Sequence, residues 1–178
     1  MINEIQIVGC RKKQRDAQRQ VYDYMSPKLF RTCKRYLKKQ EEIEEVLADA
    51  FYTIFTKIDQ LKENNAFEAW ARKITVNQCL LHLKRNVNFN LYLEDTSIYL
   101  HPETASATQL EEEDLLKLLE VIPDGCKTIF NLFVIEGYGH KEIAEMLNIS
   151  EGTSKSQLNV AKTKLKELIN KFYYQNAK

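Results

Sequence analysis

Lys155, Asn159, Lys162 and Lys166 follow one another at i, i+4, i+7 and i+11, a spacing that sets four side chains along one face of a helix. A helix with that face can enter a DNA major groove, with side chains near its N-terminus meeting base edges and later cations meeting phosphates. In this pattern Lys155, Ser156, Gln157 and Asn159 are the base readers, and Lys162, Lys164 and Lys166 neutralise phosphates. A second polar stripe, Lys73, Asn77 and Lys84, runs beside the apolar residues Phe67, Trp70, Ile74 and Leu81 of another helical segment. An acidic set, Glu45, Asp49 and Tyr52, lies off the apolar stripe of a third and suits a basic partner.

Other chemistries find little support. Cys10, Cys33, Cys79 and Cys126 stand far apart, with no CxxC pair and no His at zinc-ligand spacing, and Cys33 and Cys79 lie in helix-like apolar patterns, where they are expected to be packing residues. His82, His101 and His140 belong to no triad-like arrangement, and the chain carries no GxGxxG, P-loop or HExxH. No catalytic residue, metal or cofactor is implied. No apolar run approaches the roughly 20 residues that span a bilayer, and the start MINEIQIVGCRKK has no signal-peptide core, so a cytoplasmic chain without membrane insertion is expected.

Across the 178 residues, 26 Lys and Arg oppose 25 Asp and Glu, but the charge is arranged in blocks. Residues 1–40 carry +8, 41–71 carry −6, 72–88 carry +4, 89–125 carry −8, 126–150 carry −1 and 151–178 carry +4. A near-neutral sum therefore hides opposed patches, positive ones fit for polyanion and negative ones for a basic protein.

The elements that position these residues are helical. Five Gly and three Pro argue against the turn-dense layout of a β-sandwich. Ile43, Val46, Leu47, Ala50, Phe51, Ile54, Phe55 and Ile58 keep a helical stripe for four turns. Before it, Ala17, Val21, Met25, Leu29, Cys33 and Leu37 form a helical arm in which Ser26-Pro27 predicts a kink or restart. After the polar turn KENNA comes the helix from Phe67. These three make a first module over residues 13–88. Residues 89–108 lose the helical period and gather Asn, Ser, Thr and Pro, which predicts a flexible, acidic linker. A second module, 109–174, opens with acids in its first turn and ends in a helix-turn-helix over 140–169. There Ile143, Ala144 and Leu147 face inward, Asn148 to Ser150 turn the chain, and Ser150 caps the second helix. The expected class is all-α, two small helical domains on one tether.

Four segments in this order, Tyr22 to Tyr36 ending RY, EEIEEVLADAFYTIF, FEAWARKITVNQCLLHLKRN and PDGCKTIFNLFVIEGYGHKEIAEMLNISEGTSKSQL, resemble the extracytoplasmic-function sigma factors of bacterial RNA polymerase. The resemblance spans about residues 7–172 and implies sigma region 2, a linker and sigma region 4. It implies that Glu45, Asp49 and Tyr52 grip the β′ clamp helices of core polymerase, with the β subunit as a further contact. The loop Lys62 to Ala66 and the helix after it would open the minus-ten element and hold a flipped base. Lys73, Asn77, Lys84 and Arg85 would lie on that strand, while Phe67 and Trp70 are expected in the core. Lys155, Ser156, Gln157 and Asn159 would read the minus-thirty-five element, with Lys162 and Lys166 on phosphates. Many members carry Arg where this chain has Gln157 and Val160. An anti-sigma factor is a further partner by family habit. The residues alone also fit a stand-alone helix-turn-helix regulator that binds duplex DNA as a dimer, or a protein-binding helical adaptor with solvated lysine faces.

Overall fold

The computed structural model describes residues 2–85 and 117–176, with side chains as far as Lys171, and shows helices and no strand among the described residues. The expected linker, 89–108, and the expected start of the second module, 109–116, lie outside the described residues. The chain divides into two compact units at Leu83 and Lys84, within the last turn of a helix.

The first unit holds α1 (Glu4–Arg11), α2 (Arg15–Lys34), α3 (Gln40–Thr56) and α4 (Phe67–Arg85). Helix α1 lies before the expected module start at residue 13. Asn3 and Gln6 close a capping box at its N-terminus, each side chain accepting from the other's backbone N–H at 3.0 and 2.9 Å. Ile7 and Cys10 are buried against α2. Gly9 permits that approach, because a Cβ built there would lie 2.5 Å from the Ala17 Cβ. Lys13, in the left-handed region at φ 56, turns the corner into α2.

The restart expected at Ser26-Pro27 does not occur, and α2 runs through Pro27 to Lys34. Pro27 and Asp23, whose carbonyl loses its N–H partner to the proline, both face solvent, where water can replace the missing donor. Val21, Met25 and Leu29 on the opposite side pack with Leu47, Phe51 and Ile54 of α3, as the apolar stripe of α3 predicts. Between α3 and α4 run two 3₁₀ turns, Ile58–Gln60 and Asn64–Ala66, anchored in the core by Ile58, Leu61 and Phe67.

Helix α4 is rotated from the face expected for it. Its buried residues are Phe67, Ala71, Thr75, Val76, Cys79, Leu80 and Leu83, while Leu81 is 49% exposed. Phe67 is in the core as expected, and Trp70 is half-buried against it with ring centroids 6.2 Å apart.

Beyond Lys84 and Arg85, the described part of the second unit holds a helical turn at 117–120, then α5 (Asp124–Phe130), which widens into a π turn at Asn131–Ile135. Gly137, at φ 78, makes the turn toward α6 (His140–Leu147), whose start is capped by the Glu142 carboxylate accepting from the Gly139 N–H at 2.8 Å. The long α7 (Glu151–Asn176) follows. Leu119, Ile122, Ile129, Leu132, Ile143, Leu147, Leu158, Ala161 and Leu165 are among the buried apolar residues of this unit, with α5 and α6 both packed on α7.

Candidate nucleic-acid and polymerase interfaces

The turn between α6 and α7 has the local chemistry the sequence predicts. Asn148 ends α6 in the left-handed conformation, φ 57, which Asn tolerates because its short polar side chain bonds locally. The Ile149 N–H donates to the Ala144 carbonyl at 3.0 Å, and Ser150 Oγ accepts from the Thr153 N–H at 2.9 Å. Ile143, Ala144 and Leu147 are buried, so α6 is held against α7 by its apolar side.

Lys155, Asn159 and Lys162 then project outward in line from α7, with Lys166 half-buried at the end of the row. Lys155 pairs with Glu151 one turn back at 3.5 Å, an exposed pair that a competing anion can replace at small cost. Lys162 lies 5.8 Å from the centroid of the Phe133 ring. Phe133 also stacks on His140 at 4.5 Å, and His140 Nδ1 shares a hydrogen bond with Ser154 Oγ at 2.9 Å. The His140–Ser154 bond ties the start of α6 to the beginning of α7, and Phe133 links both to Lys162 further along it. Ser156 is half-buried, its hydroxyl donating to the Thr153 carbonyl at 3.0 Å.

Gln157 lies apart from the other residues expected to read bases. Its side chain is 2% exposed and accepts a hydrogen bond from the Cys126 thiol of α5. Two positions beyond Lys155 on a helix is about 200° around the axis, which turns Gln157 toward the core rather than the groove. Burial pushes the Cys126 thiol up to about 11, so it stays a neutral donor to that amide.

On α4, Lys73, Asn77, Lys84 and Arg85 are all exposed, and the half-exposed Leu81 stands among them. On α3, Glu45, Asp49 and Tyr52 are exposed at i, i+4 and i+7, with Tyr52 73% exposed. Gln78 of α4 donates to Thr53 Oγ1 at 3.1 Å, which fixes α4 against α3.

Lys28 of α2 donates to Glu68 of α4 at 2.7 Å and to the Tyr24 hydroxyl at 2.7 Å, and Tyr24 donates to the other Glu68 oxygen at 3.0 Å. The hydrogen bond from Lys28 holds the Glu68 carboxyl below its ordinary range against a smaller opposing effect of burial, while the bond to Glu68 raises Lys28. All four cysteines are buried and free. A hydrogen bond with Cys33 and then burial push the Cys79 thiol well up, and burial pushes Cys10 up to about 11. Such thiols are poor nucleophiles and poor metal ligands.

The arrangement, then, is a helical unit with an acidic face on one helix and a cationic face on another, and a second helical unit bearing a helix-turn-helix. Residues 21–88 match the model of sigma-70 region 2, and residues 112–165 match that of sigma-70 region 4. The two matched stretches cover most of the chain; the first lies in the first unit except for its last five residues, and the second lies wholly in the second unit. SigW of Bacillus subtilis, an ECF RNA polymerase sigma factor, is 22% identical over 94% of this chain and 96% of its own length. The ECF RNA polymerase sigma-E factor of Haemophilus influenzae is 25% identical over 70% of this chain and 72% of its own. Among solved structures, the fold is similar to CnrH in complex with the cytosolic domain of CnrY, with a TM-score of 0.52, 17% identity and coverage of 93% of this chain and 96% of that one. The sigma factor RpoE of Bartonella quintana, solved with the anti-sigma factor NepR, gives 0.51 at 18% identity over 85% of this chain and 96% of that one. The chain belongs to the sigma-70 family of RNA polymerase sigma factors, in its extracytoplasmic-function class. The reading as a stand-alone regulator is not favoured.

Proposed function

We propose that this chain carries core RNA polymerase to a set of promoters through three surfaces. Glu45, Asp49 and Tyr52 on α3 meet the β′ clamp helices, where an exposed acidic row suits a basic partner. The loop Lys62 to Ala66 and the exposed row Lys73, Asn77, Lys84 and Arg85 of α4 take the melted minus-ten strand. Lys155, Ser156 and Asn159 meet the minus-thirty-five bases from α7, with Lys162 and Lys166 on phosphates. Gln157 supports that face from beneath. The chain acts without catalytic residues of its own, works in the cytoplasm, and is held inactive by an anti-sigma protein.

The observation that carries this reading is the placing of Glu45, Asp49 and Tyr52 on one exposed face, in the same unit as an exposed cationic face on α4 and in the same chain as a helix-turn-helix. The test adds purified chain to a cognate core polymerase on a promoter library. Selective initiation is expected, and its absence would defeat the proposal. Glu45→Lys combined with Asp49→Lys should abolish core binding and leave the folded state within about 0.5 kcal/mol of the parent, because both side chains are exposed.

A further inference from the structure

The loop between α3 and α4 is held by a helix that lies about fifty residues earlier in the chain. The Arg11 guanidinium, in the last turn of α1, donates to the Leu61 carbonyl at 2.9 Å and to Asn64 Oδ1 at 3.2 Å. The same Asn64 amide donates from its nitrogen to Glu4 Oε1, in the first turn of α1, at 3.3 Å. Glu4 and Arg11 are seven residues apart, so two turns of α1 present both to one side. Both polar atoms of the Asn64 side chain are therefore committed, one to each end of α1, and the backbone at Leu61 is held as well. Leu61 and Phe67 sink into the core on either side of the loop, while Lys62, Glu63, Asn65 and Ala66 stay exposed between them. Helix α1 can act as a fixed support because Gly9 brings it close to Ala17 of α2, with Ile7 and Cys10 buried between them.

We infer that α1 is a brace for the base-receiving loop, with Arg11 and Glu4 as positioning residues that hold Leu61 and Asn64 in the arrangement that receives an unstacked base. The inference rests on the assignment of that loop to the minus-ten strand. An unstacked base is taken up at a cost recovered only through contacts already in place, and a loop that must first be ordered returns less of it. Arginine is needed at position 11 for geometry rather than charge. Both bonds leave one nitrogen, Nη2, whose two N–H groups are held in fixed directions by the guanidinium plane, whereas the ammonium of lysine is a point donor on a flexible stem.

The experiment uses the complete chain bound to core polymerase and a pool of single-stranded oligonucleotides of random sequence, with enriched strands sequenced. The parent chain is expected to enrich one base or two adjacent bases. Arg11→Lys and Glu4→Ala should flatten that preference by about fivefold to tenfold, a size in keeping with loss of one well-formed base contact. Core binding and the helical circular dichroism should stay as in the parent. Glu4→Gln, whose amide oxygen still accepts from Asn64, should keep the preference, which separates positioning from charge. Unchanged preference in both Arg11→Lys and Glu4→Ala overturns the brace and leaves the loop assignment standing. No enrichment by the parent chain overturns the loop assignment and the brace together. Should Arg11→Lys fail to fold, the exposed Glu4→Ala decides the matter alone.

Discussion

Gly9 is the position at which the smallest change should matter most. Alanine is the better helix former by about 1 kcal/mol, yet here its methyl would lie 2.5 Å from the Ala17 Cβ, on a neighbouring helix that cannot swing away like a flexible side chain. Crowding of that kind costs roughly 1–3 kcal/mol, so it wins. Gly9→Ala should destabilise the first unit by up to about 2 kcal/mol net in urea unfolding, and a gain in stability would show that α1 can shift. The Lys28–Glu68 pair makes a smaller, pH-dependent prediction. Because Lys28 holds the Glu68 carboxyl below its unfolded value, the pair's contribution is present at neutral pH and is lost as pH falls through that lowered value. Lys28 is raised, so its side of the pair fails only above the ordinary ammonium range. Both side chains are well exposed, 44% and 39%, which limits the effect to under about 1 kcal/mol. Glu68→Gln should lower stability slightly at pH 7 and make its decline between pH 5 and pH 2 shallower by that amount; an unchanged acid limb would discount the pair.

At the scale of the element, α7 serves two purposes with one sequence. Leu158, Ala161 and Leu165 are buried, while Lys155, Asn159 and Lys162 face outward. If the outward row sits on DNA, each lysine on a phosphate should contribute about 0.9 to the slope of log affinity against log salt. Lys162→Ala should therefore reduce that slope by about 1 for promoter binding by the polymerase complex, weakening all sequences alike. Lys155→Ala should weaken preferred sequences more than others. A salt slope unmoved by Lys162→Ala would take that lysine off the DNA. Gln157 belongs to the other side of α7. Gln157→Ala removes the acceptor for the buried Cys126 thiol and leaves a cavity, so its effect should appear as lost stability rather than altered base preference.

At the scale of the whole molecule, each unit has buried apolar residues of its own, and the two are assigned separate tasks. Leu165 is 5% exposed in the second unit, and its truncation to alanine should cost about 2–4 kcal/mol there. Leu165→Ala should thus abolish initiation at promoters that depend on the minus-thirty-five element, while core polymerase still retains the chain through α3 on a native gel. Loss of core binding in that variant would mean that the acidic face of α3 depends on the second unit.

What the amino-acid order determined by itself was local. The apolar repeat from Ile43 to Ile54 specifies α3 and, by exclusion, the outward placing of Glu45, Asp49 and Tyr52. Asn148 and Ser150 specify the turn and cap of the helix-turn-helix, because each acts on backbone within a few residues of itself. Tertiary structure decided the rest. Helix α4 carries apolar residues around most of its circumference, so its own pattern does not say which arc is covered, and folding buries Val76 and Leu80 while leaving Leu81 at the surface. Gln157 is polar by type, and a partner thirty-one residues earlier, the thiol of Cys126, helps make its burial tolerable. The continuity of α2 through Pro27 depends on that turn facing water. Helix α1 carries a short capping signal in Asn3 and Gln6, but its attachment needs the Gly9 contact with α2 and the Arg11 bonds to a loop some fifty residues away. A repeat within one helix is enforced by neighbours along the chain, whereas the choice of which face is covered is made by segments that meet only after folding.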